Sequence, residues 1–277
     1  MAPVPARLTP RPTTRSLLRR RARNYRDPRG PRFAGHHGRA STGARTGLLR
    51  LATFNIRFAR EIDRALALLR RSPFLRGVDV LALQEMDEAG AARLARELGF
   101  NFVYYPATIH PATGRNFGNA ILARGAIERD HKVLLPHLGR TMQAQRIAVA
   151  ATVRFGAWRV RVVNVHLGTP LEISRAARRR QMAALPTEEP EPADLLVVMG
   201  DLNAKRVGHV LEQRGFLWLT KRVRRTIRLF AWDHVFLRGL RPGQWARAGV
   251  VRNNLGASDH KPVWAEVELG ARAAGGG

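Results

Sequence analysis

Polar residues of catalytic or metal-binding type stand at the ends of apolar, strand-like segments of this sequence. They are Asn55, Glu85, Asn164, His166, Asp201, Asn203, Asp259 and His260. Side chains of a strand alternate between its two faces, so residues two apart, such as Asp201 and Asn203, point the same way if the chain stays extended. Five endings that carry carboxylate, amide and imidazole groups predict one shared site.

The residue types in these endings narrow the chemistry. Carboxylates are hard oxygen ligands for a divalent ion such as Mg²⁺, which takes one or two of them together with water and substrate phosphate. The sequence has no cysteine and no HExxH motif, which excludes disulfides, thiolate metal sites, cysteine nucleophiles and that type of zinc site. Histidines and carboxylates beside an oxygen-bound metal indicate hydrolysis of a phosphoester, in which a positioned base activates water.

The charge of the chain bears on its partners. The 277 residues have a formal net charge of +27, carried almost wholly by arginine. Such a balance favours polyanions: nucleic acid, anionic lipid headgroups or phosphorylated substrates. A genome-wide compositional bias would scatter arginine over any surface as well, and the two interpretations carry equal weight. No segment of the sequence approaches the ~18–20 uninterrupted apolar residues of a membrane-spanning helix.

The ends of the sequence differ in composition from its body. Residues 1–47 are rich in Arg, Pro, Gly, Ser and Thr, with Asp27 as their one acidic residue. Without a sustained hydrophobic period they are predicted to form a disordered basic arm. They lack the apolar core of a secretory signal, so we expect a cytoplasmic protein. Residues 48–270 are predicted to form one catalytic domain, and residues 271–277 a second disordered tail.

Short apolar segments between the motifs predict the elements that position them. Strands are predicted for "LLRLATFNIRF", "DVLALQEM", "FVYYPAT", "GNAILAR", "RIAVAATVRF", "WRVRVVNVHL", "DLLVVMGDLN", "WDHVFLRGL" and "KPVWAEVEL". Helices are predicted for "REIDRALALLRRS", "EAGAARLARELG" and "PLEISRAARRRQMAAL". Many strands, several of them apolar on both faces, with few helices indicate two packed sheets flanked by helices, an α/β architecture.

The motifs, taken in order, resemble those of the endonuclease/exonuclease/phosphatase superfamily. They are "TFNIR", "LALQEM", "FGNAILAR", "QRIAVAATV", "NVHL", "GDLNA", "WDHVF" and "SDHKPVWAEVEL". Each motif alone is common, but eight of them in this order and strand context are specific. The resemblance covers the chain from Leu48 to Leu269. It implies a four-layer α/β sandwich, with two mixed β-sheets face to face and helices outside, and Mg²⁺-dependent phosphoester cleavage by in-line attack of water, with Mn²⁺ as the alternative ion.

The resemblance also implies roles for the catalytic residues. Asp201 resembles the aspartate that orients or deprotonates the attacking water, and Asn203 its partner that donates to a phosphate oxygen. His260 resembles the histidine beside the scissile phosphate, and Asp233 the aspartate that orients it. That pairing is chemically sensible, because a buried carboxylate fixes the imidazole tautomer and raises its pKa. His166 resembles a second histidine near the leaving group.

Metal binding is implied for a second set of residues. Glu85 resembles the metal-binding glutamate of the superfamily, and Asn55 and Asp259 would complete the metal shell. Three further residues have two interpretations each. Asn119 and Asn164 either contact the substrate phosphate or brace the strands, and Arg146 either contacts phosphate or forms a structural ion pair. The basic segment "TKRVRRTIRLF" is either a phosphate-contacting loop or a solvated surface loop.

The sequence leaves the substrate open among three readings. A DNA or RNA phosphodiester suits the basic body and arm, since contacts with phosphates add affinity. A sphingomyelinase-like or inositol-phosphatase-like enzyme would act on a lipid or small-molecule phosphoester. A non-catalytic relative that binds nucleic acid is disfavoured, because the expected chemical residues are all present. We expect a monomeric phosphodiesterase, with nuclease activity as the first possibility.

Overall fold

Two β-sheets face each other, and helices cover the outer surface of each sheet. The computed structural model describes residues 21–38, 47–188 and 193–270. The strands are β1 (Arg23–Asn24), β2 (Phe33–Gly35), β3 (Leu48–Asn55), β4 (Val80–Met86), β5 (Asn101–Ile109), β6 (Asn116–Ala123), β7 (Ala126–Leu134), β8 (Ile147–Phe155), β9 (Trp158–His166), β10 (Leu195–Asp201), β11 (Leu217–Trp218), β12 (Asp233–Arg238), β13 (Ala246–Val250) and β14 (Val263–Glu268). The helices are α1 (Ile62–Arg71), α2 (Glu88–Leu98), α3 (Arg175–Ala183) and the short α4 (His209–Glu212), with 3₁₀ turns at Arg57–Ala59 and Arg206–Gly208.

Both sheets mix parallel and antiparallel pairs. The first sheet has the order β1-β5-β6-β4-β3-β14-β13, and β2 also pairs with β5. The second sheet has the order β11-β12-β10-β9-β8-β7. Within them, β3 runs parallel to β4 and β9 runs parallel to β10, while β12 runs antiparallel to β10. Because β3 and β4 are parallel neighbours, their carboxyl ends lie side by side in the first sheet, and those of β9 and β10 do so in the second. These four strand ends carry the polar motifs of the sequence.

Three apolar clusters hold the layers together. The cluster between the sheets contains Leu51 and Val80 of the first sheet with Val162, Val197 and Val235 of the second. A second cluster packs α1 and α2 on the first sheet, and a third packs α3 and α4 on the second. Alternation along β10 explains its apolar composition, because one face of the strand meets the first sheet and the other meets helices. The predicted four-layer α/β sandwich is confirmed.

The three predicted helices form, but α3 begins at Arg175, five residues after the start of the predicted segment, and the short α4 was not predicted. The side chain of Asp87 caps α2 by accepting a hydrogen bond from the Gly90 amide at 2.8 Å. Gly99 ends the same helix in the left-handed conformation, with φ 70°. Ser174 caps α3 by accepting from the Ala177 amide. A capping oxygen satisfies a backbone donor that has no partner inside the helix, which fixes the helix start.

The N-terminal arm departs from its predicted disorder over residues 21–38. Strands β1 and β2 both pair with β5 at the edge of the first sheet. Asn24 donates to the Gln143 carbonyl and Arg32 donates to Asp130, which anchors the segment by side chains as well. An unpaired strand edge supplies backbone partners to a segment of low hydrophobicity, and composition alone does not reveal this. The remaining predictions of disorder, for residues 1–20, 39–46 and 271–277, lie outside the described residues.

No helix within residues 21–38, 47–188 and 193–270 is long and apolar enough to cross a membrane.

Candidate active site

Three neighbouring strands of the second sheet align three of the predicted site residues. The register pairs Asp201 of β10 with His166 at the end of β9 and with Asp233 at the start of β12. Gly200 allows this alignment, because a Cβ at that position would lie 1.9 Å from the carbonyl oxygen of Val165. The close approach of β9 and β10 therefore requires glycine immediately before Asp201.

The first sheet contributes Asn55 and Glu85 from its adjacent strands β3 and β4. The pairing of β4 with β6 shifts register between Leu83 and Met86, and Glu85 takes a positive φ of 57° inside this irregularity. Asn55 Nδ2 donates to Glu85 Oε1 at 3.2 Å and to Asp201 Oδ2 at 3.0 Å. One carboxamide thus connects the carboxylates of the two sheets.

His260 meets this cluster from the loop before β14. His260 Nδ1 lies 2.9 Å from Asp233 Oδ2, and His260 Nε2 lies 3.8 Å from Asp201 Oδ2. Asp201, Asp233 and His260 are all buried, and each offers a ligand-type atom within 4.8 Å of the others. The Asp233 carboxylate fixes the orientation of the imidazole, so that Nε2 faces Asp201.

Two residues outside the predicted site, Thr226 and Asn254, hold His260 in place. Thr226 accepts hydrogen bonds at Oγ1 from the Trp232 and Asp233 amides, and its carbonyl accepts from the Lys261 amide at 2.7 Å. Asn254 Nδ2 donates to the His260 carbonyl at 2.5 Å. Thr226 lies within the basic segment "TKRVRRTIRLF", and nothing in its local pattern distinguishes a brace from a surface residue.

Asn203 lies beside Asp201, although the chain does not stay extended between them. Asn203 has φ 48°, and its amide donates to Asp201 Oδ1 at 2.8 Å. Its side-chain Nδ2 donates to the Leu167 carbonyl at 2.9 Å. The turn, rather than strand alternation, therefore brings Asn203 next to Asp201, and it occupies one oxygen of the Asp201 carboxylate with a backbone donor.

Arg146 and His166 form the opposite wall of the site. Arg146 Nη1 lies 2.9 Å from Nδ1 of the His166 ring, and its guanidinium also lies over the Phe117 ring at 5.4 Å. His166 Nε2 is 3.5 Å from Asp201 Oδ2 and 4.0 Å from Glu85 Oε1. Arg146 therefore places a positive charge beside the carboxylates from within the site.

Asn164 braces the two sheets rather than facing the site. Its Nδ2 donates to the carbonyls of Leu83 and Ala120 in the first sheet, both at 2.8 Å. Its Oδ1 accepts from Gln84 Nε2 at 2.7 Å. Asn119 Nδ2 likewise donates to the Ile147 carbonyl at 3.1 Å, across the sheets. These contacts support the structural interpretation of both asparagines, and the phosphate contact of each stays a prediction.

Burial sets the proton affinity of the carboxylates. Removal from water raises the pKa of Asp201 to about 7, the charge of Asp233 adds to this rise, and His260 opposes it. Burial also raises the pKa of Glu85, against the opposing charge of Arg146. Nearby positive charge therefore favours the ionised form of both carboxyl groups.

The pKa values of the two histidines are shifted in opposite directions. Burial works against the charged ring of His260, but the charges of Asp233 and Asp201 raise its pKa to about 10. Burial and the charge of Arg146 hold the pKa of His166 well below its usual value. The site therefore combines a cationic imidazole at His260 with a neutral one at His166.

The donor set fits a divalent cation. The buried Asp201 carboxylate and the partly exposed Glu85 carboxylate are joined through one Asn55 amide, and a nearby double positive charge would offset the cost of keeping both ionised. The Glu85 side chain keeps 17% of its surface exposed and that of Asp259 36%, so both can accept further ligands. Asp259 Oδ2 lies 3.7 Å from Arg57 Nε, at the edge of the site and outside the compact group of Asp201, Asp233 and His260.

Comparison with known proteins agrees with this geometry. The profile of the "Endonuclease/Exonuclease/phosphatase family" matches residues 52–260. No curated protein sequence matches the chain.

Solved structures share the fold at low sequence identity. An endonuclease/exonuclease/phosphatase from Beutenbergia cavernae superposes with TM-score 0.62 at 21% identity, over 81% of this chain and 72% of that one. TDP2 of D. rerio, complexed with a single-strand DNA product, superposes with TM-score 0.62 at 16% identity, over 79% and 98%. A functionally unknown conserved protein from Enterococcus faecalis V583 gives TM-score 0.61 at 22% identity, over 79% and 99%.

Proposed function

Because the chain belongs to the Endonuclease/Exonuclease/phosphatase family, we propose that it is a metal-dependent hydrolase that cleaves a phosphodiester by in-line attack of water. The observation that supports this proposal most directly is that three polar side chains meet at Asp201. Its carboxylate lies 3.0 Å from Asn55, 3.5 Å from His166 and 3.8 Å from His260. A binding module has no need for a buried carboxylate between two imidazoles. The same geometry therefore disfavours a non-catalytic relative.

Asp201 is proposed to orient the attacking water and to accept its proton. A carboxylate whose pKa is raised to about 7 by burial is a stronger base than one in water and still ionises near neutral pH. Asn55 and the Asn203 amide hold its two oxygens from opposite sides. The base is thereby fixed before the substrate arrives.

The cationic His260 is proposed to contact a phosphate oxygen and to stabilise the charge that develops there. Asp233 keeps the ring oriented and charged through its hydrogen bond at Nδ1. Asn203 has one side-chain N–H beyond the one donated to Leu167, and this is available to the phosphate. His166, whose Nε2 lies 3.5 Å from Asp201 Oδ2, is proposed to lie near the leaving group, with Arg146 beside it.

Glu85, Asn55 and Asp259 are proposed to hold the metal ion, with Mg²⁺ as the ion and Mn²⁺ as the alternative. Both ions prefer oxygen ligands. Glu85 and Asp259 supply carboxylate oxygens, and Asn55 would supply its Oδ1, which accepts from the Arg57 amide at 3.0 Å. When bound, such an ion neutralises the phosphate and stabilises charge during displacement. The raised pKa of Glu85 is consistent with this role, because a cation would keep that carboxylate ionised.

Nucleic acid is proposed as the first substrate class. The net charge of +27 supports this choice, and so does the single-strand DNA product held by the D. rerio neighbour. The second candidate is a lipid or small-molecule phosphoester, of the kind that sphingomyelinases and inositol phosphatases cleave. The three leucine and phenylalanine residues with the greatest exposure among the described residues, Leu171, Leu229 and Phe230, favour it by offering apolar contacts.

Hydrolysis of a substrate panel tests the proposed function. Purified protein with Mg²⁺ is incubated with plasmid DNA, RNA, bis-p-nitrophenyl phosphate, sphingomyelin and inositol phosphates, and each reaction is repeated with EDTA and at raised salt. We expect EDTA-sensitive hydrolysis of a phosphodiester, and a loss of nucleic-acid cleavage with salt. Hydrolysis of none of these, or hydrolysis that resists EDTA, would contradict the proposal.

A monomeric state and a cytoplasmic location stay predictions. Size-exclusion chromatography with light scattering measures the first, and cell fractionation the second.

A further inference from the structure

Beside the catalytic residues lies a basic cavity whose arginines the proposed mechanism does not use. It has a volume of about 390 Å³. Its lining residues are Arg57, Arg60, Glu61, Arg64, Gly256, Ala257, Ser258 and Asp259. We propose that this arginine pocket binds a second phosphate of the substrate, one position along the molecule from the phosphate that is cleaved. The inference rests on the proposed function and deepens it, because it limits the preferred substrates to those with at least two phosphate groups.

A strained turn builds one wall of the arginine pocket. Arg57, Phe58 and Ala59 have φ values of 40°, 60° and 50°, although none of them is glycine. Each such residue costs on the order of 1 kcal/mol, so the surrounding structure must enforce the turn. Residues with strained backbone concentrate at functional sites, so this turn supports a functional role for its side chains.

Specific contacts hold the strained turn in place. Arg115 Nη2 donates to the Phe58 carbonyl at 2.7 Å, and the Arg57 amide donates to Asn55 Oδ1 at 3.0 Å. The Phe58 ring packs edge-on against His110, with centroids 4.7 Å apart. The turn is therefore tied to Asn55 of the catalytic cluster, and the arginine pocket has a fixed position relative to it.

The arginine pocket adjoins the residues of the proposed reaction. Asp259 lines the pocket and directly precedes His260, whose Nε2 lies 3.8 Å from Asp201. Gly256 lines it as well, and its carbonyl accepts from Arg64 Nη1 at 3.4 Å. A phosphate in this pocket would thus be a near neighbour of the phosphate at His260, as successive phosphates are in a nucleotide chain.

The arginines of the pocket are available to an anion. Arg57 pairs with Asp259 at 3.7 Å and Arg64 with Glu61 at 3.6 Å, and all four side chains keep at least 36% of their surface exposed. Pairs this long and this exposed contribute little, so they exchange readily. Within the described part of the chain no carboxylate pairs with Arg60, which lies over the Phe58 ring at 5.1 Å. The pocket lining therefore contains three guanidinium groups and two carboxylates. The planar fork of N–H donors on each guanidinium group suits phosphate.

Paired substrates that differ by one phosphate test the inference. The thymidine dinucleotide TpT has one phosphate, and the same dinucleotide with a terminal phosphate at its 5′ or 3′ end has two. We expect the wild type to cleave one of the two phosphorylated forms with a higher kcat/KM than TpT. The double substitution Arg60→Gln with Arg64→Gln is expected to remove this preference. It would lower kcat/KM for the preferred phosphorylated form about tenfold or more and leave kcat/KM for TpT unchanged.

The control is Arg71→Gln, an exposed arginine of α1 that does not line the arginine pocket. Arg57 is kept, because it contacts the proposed metal ligand Asp259. Equal melting temperatures for all variants would show that folding is intact. A wild type that does not distinguish TpT from either phosphorylated form, or a double variant that loses activity equally on all of them, would overturn the inference.

Binding separates this inference from the proposed function. Calorimetric titration of the phosphorylated dinucleotides and TpT measures the arginine pocket whether or not a substrate is cleaved. Tighter binding of a phosphorylated form, lost in the double variant, supports the pocket even if hydrolysis fails and the proposed function falls. Inositol 1,4-bisphosphate in the same titration distinguishes the source: arginine-dependent preference for it over the dinucleotides would assign the second phosphate to a small-molecule substrate.

Discussion

Asp201 is a carboxylate that the fold keeps away from water at a point where two sheets meet. Burial raises its pKa to about 7, while hydrogen bonds from Asn55 and the Asn203 amide favour its ionised form. His166 and His260 stand on either side, the first with a lowered and the second with a raised pKa. The individual residue types are ordinary, and their environments give them distinct chemical states.

Asp233→Asn is expected to lower kcat about tenfold or more, because the His260 ring would lose the charge that keeps it cationic. The substitution preserves shape and leaves a carbonyl acceptor at Nδ1, so the loss would come from charge. The measurement is kcat on bis-p-nitrophenyl phosphate with Mg²⁺. Asp63→Asn serves as the control, since its side chain is 82% exposed. An Asp233→Asn enzyme with the kcat of the wild type would refute the pairing.

At the scale of elements, the register of β9, β10 and β12 decides whether the site exists. Asp201 aligns with His166 and Asp233 only while β9 and β10 stay in close contact at Gly200. Asn164 links the same strand β9 to the first sheet through two backbone carbonyls and Gln84. Both features lie in the strands rather than in the site, and both are needed for it.

Gly200→Ala is expected to lower the free energy of unfolding by about 3 kcal/mol, as overpacking of a close contact does. The cause is a Cβ placed 1.9 Å from the Val165 oxygen. Urea unfolding followed by circular dichroism measures the change, or the soluble yield does if the variant does not fold. Gly215→Ala is the control, since Gly215 has φ 77° but open space around its Cβ position. Equal stability of the two variants would show that close contact of the strands is unimportant.

Asn164→Ala is expected to lower the free energy of unfolding by about 2–5 kcal/mol, because the carbonyls of Leu83 and Ala120 would stay buried without a donor. The same urea experiment measures it, with the exposed Asn253→Ala as the matched control. If Asn164→Ala unfolds at the urea concentration of the wild type, the inter-sheet bracing assigned to this residue is wrong.

At the scale of the whole molecule, residues 21–38 extend the first sheet and connect it to the second. Arg32 donates to both oxygens of Asp130 in β7, at 2.7 and 2.8 Å, and Tyr105 of β5 donates to the same carboxylate at 2.7 Å. Burial works against ionisation of Asp130, but the hydrogen bonds from Arg32 and Tyr105 lower its pKa. This ion pair therefore joins the N-terminal segment to both sheets.

Asp130→Asn is expected to destabilise the protein at pH 7 and to have a smaller effect at pH 3. A carboxyl whose folded pKa is lowered stabilises the fold above its unfolded pKa, near 3.9, and loses this contribution as pH falls through the folded value. Thermal unfolding of the wild type and the variant at both pH values measures the difference, with Glu188→Gln, whose side chain is 86% exposed, as the control. A difference that stays constant between pH 7 and pH 3 would exclude the ionised pair.

Much of this arrangement could be predicted from the sequence, because strand alternation and strand-end position are local properties. Apolar segments ending at Asn55, Glu85 and Asp201 identified both the sandwich and the residues that meet in it. Contacts between distant segments could not be predicted in this way. The pairing of residues 21–38 with β5, the Thr226 brace behind His260 and the strained turn at Arg57–Ala59 all depend on what the fold places opposite them.

The central claim is that Asp201 is the residue at which water is activated for phosphodiester cleavage. Its most direct test is the Mg²⁺-dependent turnover of bis-p-nitrophenyl phosphate by Asp201→Asn, measured beside the wild type and Arg179→Ala, an exposed arginine of α3. We predict that Asp201→Asn lowers kcat by about 100-fold to 10,000-fold, the usual contribution of a general base, while Arg179→Ala keeps the wild-type rate. An Asp201→Asn enzyme that turns over as fast as the wild type would contradict the account.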